Sequence, residues 1–340
     1  MTNPDGTVAP GALMAAEVAE QPTVLARLIA EGVDEIAAVR AHIGAYRPRF
    51  VLIAARGTSD HAALYAKYLA EVGLQLPAGL ASPSTLTVYG ARPDLSEVLF
   101  LAVSQSGGSP DLVGSVEAAR ACGALTVAVT NNPSSPLAAA AEHHVDIRAG
   151  LELAVAATKT YTAELLALYL LLCGGDADAV PDAAARTLAF GPQAYAAAER
   201  YRFTQRLVTT ARGFSYPTAR EAALKVMETS YLSAQAFSGA DLLHGPLAMV
   251  DPDLPVIAIV TPGAGGAAMA PVVARLAESG ANVLLVGPEG GLPVASAGIA
   301  EELLPILEIL PLQQLAWRLA LDRGGDPDRP RGLSKVTETW

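Results

Sequence analysis

The sequence repeats itself at a fixed interval. Ala55-Arg56-Gly57 returns 156 residues later as Ala211-Arg212-Gly213, and each triplet leads into a helical pattern. At the same offset the apolar run 98–103 falls on 254–259, and 125–129 falls on 281–285. Three matches at one ungapped offset imply two copies of one supersecondary unit. Within each copy short apolar runs alternate with longer helical patterns, which predicts strands buried on both faces and joined by crossover helices. The expected fold class is α/β: two tandem domains, each a doubly wound parallel sheet flanked by helices. With 340 residues, each copy has enough chain for its own core. The expected bounds are a disordered N-terminus at 1–13, a first domain at 14–178, a second at 179–323 and a tail at 324–340. Alanine-rich stretches near 179–200 read as the helical connection, and Gly324, Gly325, Pro327 and Pro330 mark the tail as extended.

The two copies differ in their loops. After the predicted strand 98–103 comes Ser104-Gln105-Ser106-Gly107-Gly108-Ser109-Pro110. Ser109 suits a helix N-cap and Pro110 a first helical position, so this loop opens a helix at the carboxyl end of a parallel strand. Ligands of open α/β sheets bind there. Free amides, two glycines that permit close approach and several hydroxyls make a cradle for a phosphate. Thr58 and Ser59, after the predicted strand 50–55, add hydroxyls from a neighbouring loop. The second copy carries Thr261-Pro262-Gly263-Ala264-Gly265-Gly266 at the equivalent place, with most hydroxyls gone. One phosphate site per chain is expected.

The second copy instead carries charge inside an apolar helix. Glu221, Lys225 and Glu228 stand at i, i+4 and i+7, on one helical face, while Ala222, Ala223, Leu224, Val226 and Met227 occupy the rest. A solvated ion-pair face is the ordinary reading of such spacing. Two carboxylates around an ammonium on so apolar a helix instead indicate a site whose groups perturb one another. His244-Gly245-Pro246 follows within twenty residues or so.

Composition removes several classes. The net charge of -11 argues against a nucleic-acid surface. Cys122 and Cys173 are the only cysteines and lack metal-ligand spacing, so neither disulfide framework nor zinc site is expected, and no cofactor. No signal peptide is recognised, and the most apolar helical stretch, 165–173, is too short to span a bilayer, so the expectation is a cytoplasmic protein without membrane partners. An apolar content of 51% is high for a monomer and points to burial between subunits.

These motifs, in this order, resemble the sugar isomerase (SIS) family. The resemblance rests on the 55–59 turn, Ser104-Gln105-Ser106-Gly107, Val155-Ala156-Ala157-Thr158-Lys159, the Glu221–Glu228 helix, His244-Gly245-Pro246 and Gly332-Leu333-Ser334-Lys335. It runs from about residue 14 to the end and is strongest to the isomerase half of glucosamine-6-phosphate synthases, including Glu20-Gln21-Pro22. It implies a homodimer that binds a hexose or hexosamine 6-phosphate, in which His244 reaches the partner's site. The implied phosphosugar contacts are Thr58, Ser59, Ser104, Gln105, Ser106, Ser109, Val155 and Ala157. The implied catalytic set is Glu228 as the C1–C2 base, Lys225 and Glu221 as its partners, His244 for ring opening, and Lys335 as a Schiff-base amine on a tail that closes over the site. Three departures stand out: the synthases' glutaminase domain is missing here, Gly108 replaces a glutamate, and Ala157 replaces a serine. The implied activity is conversion of glucosamine 6-phosphate to fructose 6-phosphate and ammonia. An N-acetylglucosamine-6-phosphate dehydratase or lyase using the same base, and a non-catalytic phosphosugar sensor, are the alternatives.

Overall fold

The computed structural model describes residues 9–335. They form two units, one of residues 23–152 and 159–178, the other of residues 9–22, 153–158 and 179–335.

The first unit is built on five strands: β1 (Phe50–Ala54), β2 (Ala78–Leu80), β3 (Val98–Ser104), β4 (Leu125–Thr130) and β5 (His143–Asp146). They lie in the order β2-β1-β3-β4-β5, all parallel, with Ala54 beside Ala102 and Ser104 beside Thr130. Leu99 to Val103 and Val127 to Val129 have no solvent exposure, as strands covered on both faces must. The order reverses between β1 and β3, so their carboxyl ends open the crevice where such sheets take ligands.

The second unit repeats the plan with β6 (Arg206–Ala211), β7 (Ser233–Ser238), β8 (Pro255–Ile259) and β9 (Asn282–Val286), parallel, in the order β7-β6-β8-β9. Its reversal lies between β6 and β8. Gly57 after β1 and Gly213 after β6 share a left-handed φ of 58° and 60°, so the repeat extends to backbone conformation.

The chain's division departs from the expected bounds in three places. Residues 14–22 and 153–158 belong with the second sheet, not the first. The expected disordered start does not extend to residue 13, because the long helix Ala12–Tyr46 begins before it. Asp326 Oδ1 accepts the Gly11 amide at 3.0 Å, and Asp328 accepts those of Leu13 and Met14 at 3.0 and 2.8 Å. These carboxylates cap the helix from more than 300 residues away, where no local pattern announces them. Residues 1–8 and 336–340 lie outside the described residues.

Pro22 sits inside that helix. A proline has no amide for the carbonyl four residues back, here Val18. Gln21 Nε2 donates to the Val18 carbonyl at 3.1 Å and to Gln313 Oε1 at 2.8 Å, satisfying the orphan and tying it to the terminal helix Leu304–Asp322.

Candidate active site

The charged helix is Tyr216–Ser230, with Pro217 in its first turn. It ends at Tyr231, whose left-handed φ of 57° lets its amide bond back to Met227 and Val226. Glu221 and Lys225 are fully buried, and the Glu228 side chain keeps 20% exposure. Lys225 Nζ lies 3.2 Å from Glu221 Oε1 and 2.6 Å from Glu228 Oε2. The solvated-face reading is thereby excluded. Burial alone would push the Lys225 ammonium down, but the charges of Glu221 and Glu228, with their hydrogen bonds, outweigh it and hold it above its ordinary range. Lys225 is therefore a permanent cation at neutral pH, able to stabilise charge on a neighbouring oxygen but not to act as a base. Of the three, only Glu228 reaches the surface.

His244 follows the short helix Gly239–Leu243, is exposed, and precedes Gly245 at φ 131°. The carboxylate of nearby Asp241 accepts from Ser238 Oγ at 2.8 Å. The residues after Gly325 run without regular structure to Lys335, and the Arg331 guanidinium sits 4.1 Å over the Tyr231 ring. Lys335 Nζ donates to the Ala154 carbonyl at 2.7 Å, beside Val155 and Ala157. The Val155 amide in turn donates to the Asp328 carbonyl. The second unit thus holds Glu221, Lys225, Glu228, His244, Lys335, Val155 and Ala157 of the expected set, with the tail amine placed against the 153–157 segment.

The first unit holds the other six. The 104–109 loop leaves β3 and opens the helix Pro110–Ala121, with Ser109 at its N-cap, although the Ser109 side chain makes no capping bond. Ser104 Oγ accepts the Gly107 amide at 3.2 Å, and Ser106 Oγ accepts that of Gly108 at 3.3 Å. Gly107 has φ 63°, and a Cβ there would collide with the Ser135 side chain. Thr58 opens the helix Thr58–Tyr68 after β1, and Ser59 Oγ donates to the buried Glu164 carboxylate at 2.8 Å, which turns that hydroxyl inward. Sequence reasoning placed Arg56 in this loop but gave it no role and no partner. Its guanidinium meets Asp111, in the first turn after the loop, at 2.6 Å. The spacing of 55 residues hides the pair, and only the β1–β3 adjacency brings it together.

At the matching place in the second unit, the loops after β6 and β8 carry carboxylates of the chain itself. Glu301 accepts the amides of Ala264 and Gly265 at 2.8 and 2.7 Å. Glu308, fully buried on the terminal helix, accepts from Ser215 Oγ at 2.7 Å and from Thr261 Oγ1. Thr261 and the amides of Ala264 and Gly265 in the second loop are thus bonded to carboxylates of the same chain.

Tandem doubly wound units, one with a hydroxyl-and-amide loop at a helix start and one with a buried carboxylate–ammonium cluster, define a two-copy α/β protein of the phosphosugar-isomerase fold. The SIS domain model matches residues 46–173 and 202–297, and the chain belongs to the SIS family. It is 32% identical to the glutamine–fructose-6-phosphate aminotransferase (isomerizing) of Methanothermobacter thermautotrophicus over 95% of this chain and 56% of that protein. It therefore spans little more than half the length of the curated relatives it matches. Among solved structures, a Silicibacter pomeroyi DSS-3 protein provisionally described as a phosphosugar isomerase is 36% identical, with a TM-score of 0.83 over 93% of this chain and 99% of that one. The C-terminal domain of a Francisella tularensis glucosamine-fructose-6-phosphate aminotransferase shares the fold, with a TM-score of 0.81 at 23% identity over 97% of this chain and all of that one.

Proposed function

We propose that this chain is a phosphosugar isomerase that acts as a deaminase, converting glucosamine 6-phosphate to fructose 6-phosphate and ammonia. The observation that carries the reading is the Glu221–Lys225–Glu228 cluster, two buried charges that fix a third, half-sheltered carboxylate at the surface. A sensor would need the phosphate loop but would have no use for this cluster, whose burial is costly.

In this reading the 104–109 loop, with Thr58 and the Ser59 amide, takes the phosphate through amides and hydroxyls; the Ser59 hydroxyl itself is engaged by Glu164. His244 assists ring opening. Glu228 removes the proton from C2 of the open-chain aldehyde and delivers it to C1, leaving an imine at C2. Lys225 offsets the charge that gathers on the substrate oxygen during the transfer. Water adds to the imine and ammonia leaves; Lys335 would serve as a Schiff-base amine toward the ketose carbonyl. The protein would work in the cytoplasm as a homodimer.

Incubation of the purified protein with glucosamine 6-phosphate should release ammonia and fructose 6-phosphate in equal amounts. Glu228→Gln should lower kcat by about 100- to 10,000-fold, the usual range for a lost general base. Absence of both products at saturating enzyme would reject the deaminase. One observation favours a second substrate: a Cβ placed at Gly108 would meet only Ser106 Oγ, at 3.7 Å, so this position has room for a larger substituent on the sugar. With an N-acetyl group at C2 the nitrogen stays, and C2 proton abstraction would expel the C3 hydroxyl. Loss of one water from N-acetylglucosamine 6-phosphate, read by mass, separates the two reactions.

A further inference from the structure

Glu308 is a buried carboxylate that the proposed chemistry does not use. It sits on the terminal helix with no solvent exposure. Its Oε1 accepts the hydroxyls of Ser215, the residue just before the charged helix, and of Thr261, just after β8. The buried Thr218 hydroxyl, in the helix's first turn, lies close enough to act on it as well. Among the described residues no cation pairs with it. The groups acting on it from the neighbouring elements are the hydroxyls of Thr261, Ser215 and Thr218 and one further carboxylate, Glu301. Such an arrangement costs more than an apolar side chain of the same size, so stability does not account for it.

The repeat shows what this carboxylate is joined to. Ser215 stands 156 residues after Ser59, the serine that bonds Glu164 in the first unit. In the first unit that serine lies in the first turn of a helix beside the proposed phosphate loop, whose Gly107 and Gly108 amides bond the Ser104 and Ser106 hydroxyls. In the second it precedes the charged helix, and Glu301 takes the amides of Ala264 and Gly265 while Glu308 takes the hydroxyls. Gly263 is confined to glycine by Glu301, since a Cβ there would run into that side chain. The Ser215 hydroxyl does not cap its own helix, so the helix start is held by Glu308 instead.

We propose that Glu308 is a positioning residue: it clamps the opening of the charged helix to the end of β8 and thereby sets where Glu221, Lys225 and Glu228 stand. The catalytic consequence rests on the function proposed above; the mechanical one does not. Burial pushes the carboxyl up to about 7, so it changes charge in the neutral range. As a carboxylate it accepts both hydroxyls strongly; once protonated it is the poorer acceptor, and the clamp slackens as pH falls.

The test uses the full chain with Glu308→Leu and Glu308→Gln. Hydrogen exchange is followed at residues 216–222, corrected for intrinsic rates, from about pH 6 to about pH 8. In parallel, kcat and KM are measured on glucosamine 6-phosphate. Glu308→Leu is expected to lose protection there by about tenfold or more, the equivalent of one charge-assisted hydrogen bond. Its kcat should fall by about as much, with KM nearly unchanged. Glu308→Gln, which keeps an oxygen for both hydroxyls, should restore protection and turnover and abolish the pH dependence that wild type shows at this helix start. Wild-type protection in folded Glu308→Leu, or identical pH profiles for wild type and Glu308→Gln, overturns the clamp. If wild type turns over nothing, the deaminase reading fails, and exchange alone decides the clamp. Should Glu308→Leu not fold, Ser215→Ala removes half the clamp and is read in the same way.

Discussion

Lys225 shows how one side chain can make an expensive arrangement tolerable. Glu221 alone, fully buried, would be an uncompensated charge, and a lone carboxylate in such a place would be neutralised or expelled. With Lys225 between them, two carboxylates share one ammonium, and the pair that is sealed away orients the one that is not. Gly107 constrains the other half of the chemistry by absence. Its left-handed backbone, with the Ser135 side chain where a Cβ would go, is open to glycine alone, whereas Gly108 has free space beside it. Gly107→Ala should therefore cost about 1–3 kcal/mol in thermal or denaturant unfolding and weaken binding of a 6-phosphosugar by about tenfold or more. Gly108→Ala should do neither. Equal behaviour of the two variants in a binding titration would show that the loop's shape does not depend on Gly107.

At the scale of elements, the second unit has a fastening where the first has its proposed phosphate loop. The loops after β6 and β8 match those after β1 and β3 in the first unit, and their donors bond Glu301 and Glu308. A measurable consequence is the pH dependence of stability. Glu308 has its carboxyl raised from 4.5 to about 7 in the folded protein, so between these values the folded chain binds more protons than the unfolded chain. By linkage, this group's contribution to stability declines as pH rises through that window and is fully lost above it. At about 1.4 kcal/mol per pH unit the difference reaches on the order of 3 kcal/mol. Against Glu308→Gln, wild type should lose unfolding free energy progressively from about pH 5 to about pH 7. A constant difference between the two across that range would mean that Glu308 does not titrate there. Stability and the clamp thus pull in opposite directions, since the charged form that holds the helix best is the one the core favours least.

At the scale of the molecule, the proposed homodimer makes a sharp prediction. His244 is exposed, and the apolar side chain of Leu243 beside it is 37% exposed, as befits a loop that meets another chain. If His244 serves the partner's site, mixing inactive Glu228→Gln and His244→Ala chains should restore up to about a quarter of wild-type activity, because a mixed dimer has one intact site. No recovery after proven subunit exchange would place His244 in its own chain's site or outside it.

The repeat, the parallel α/β class, the helix-opening loop after β3 and the charged helix were all legible in the sequence, because each is written in local periodicity, in turn chemistry within a few residues or in matches at one fixed offset. Strand alternation with helices dictates parallel sheets, and i, i+4, i+7 spacing puts three charges on one face wherever the helix lies. Whether that face meets water or core is not local information; only packing against the rest of the unit buried Glu221 and Lys225. The helix caps at Asp326 and Asp328, the Arg56–Asp111 pair and the Glu308 clamp were equally hidden. Each joins residues far apart along the chain through hydrogen bonds whose partners are chosen by which strand ends lie side by side, and that neighbourhood exists only once the sheets have formed.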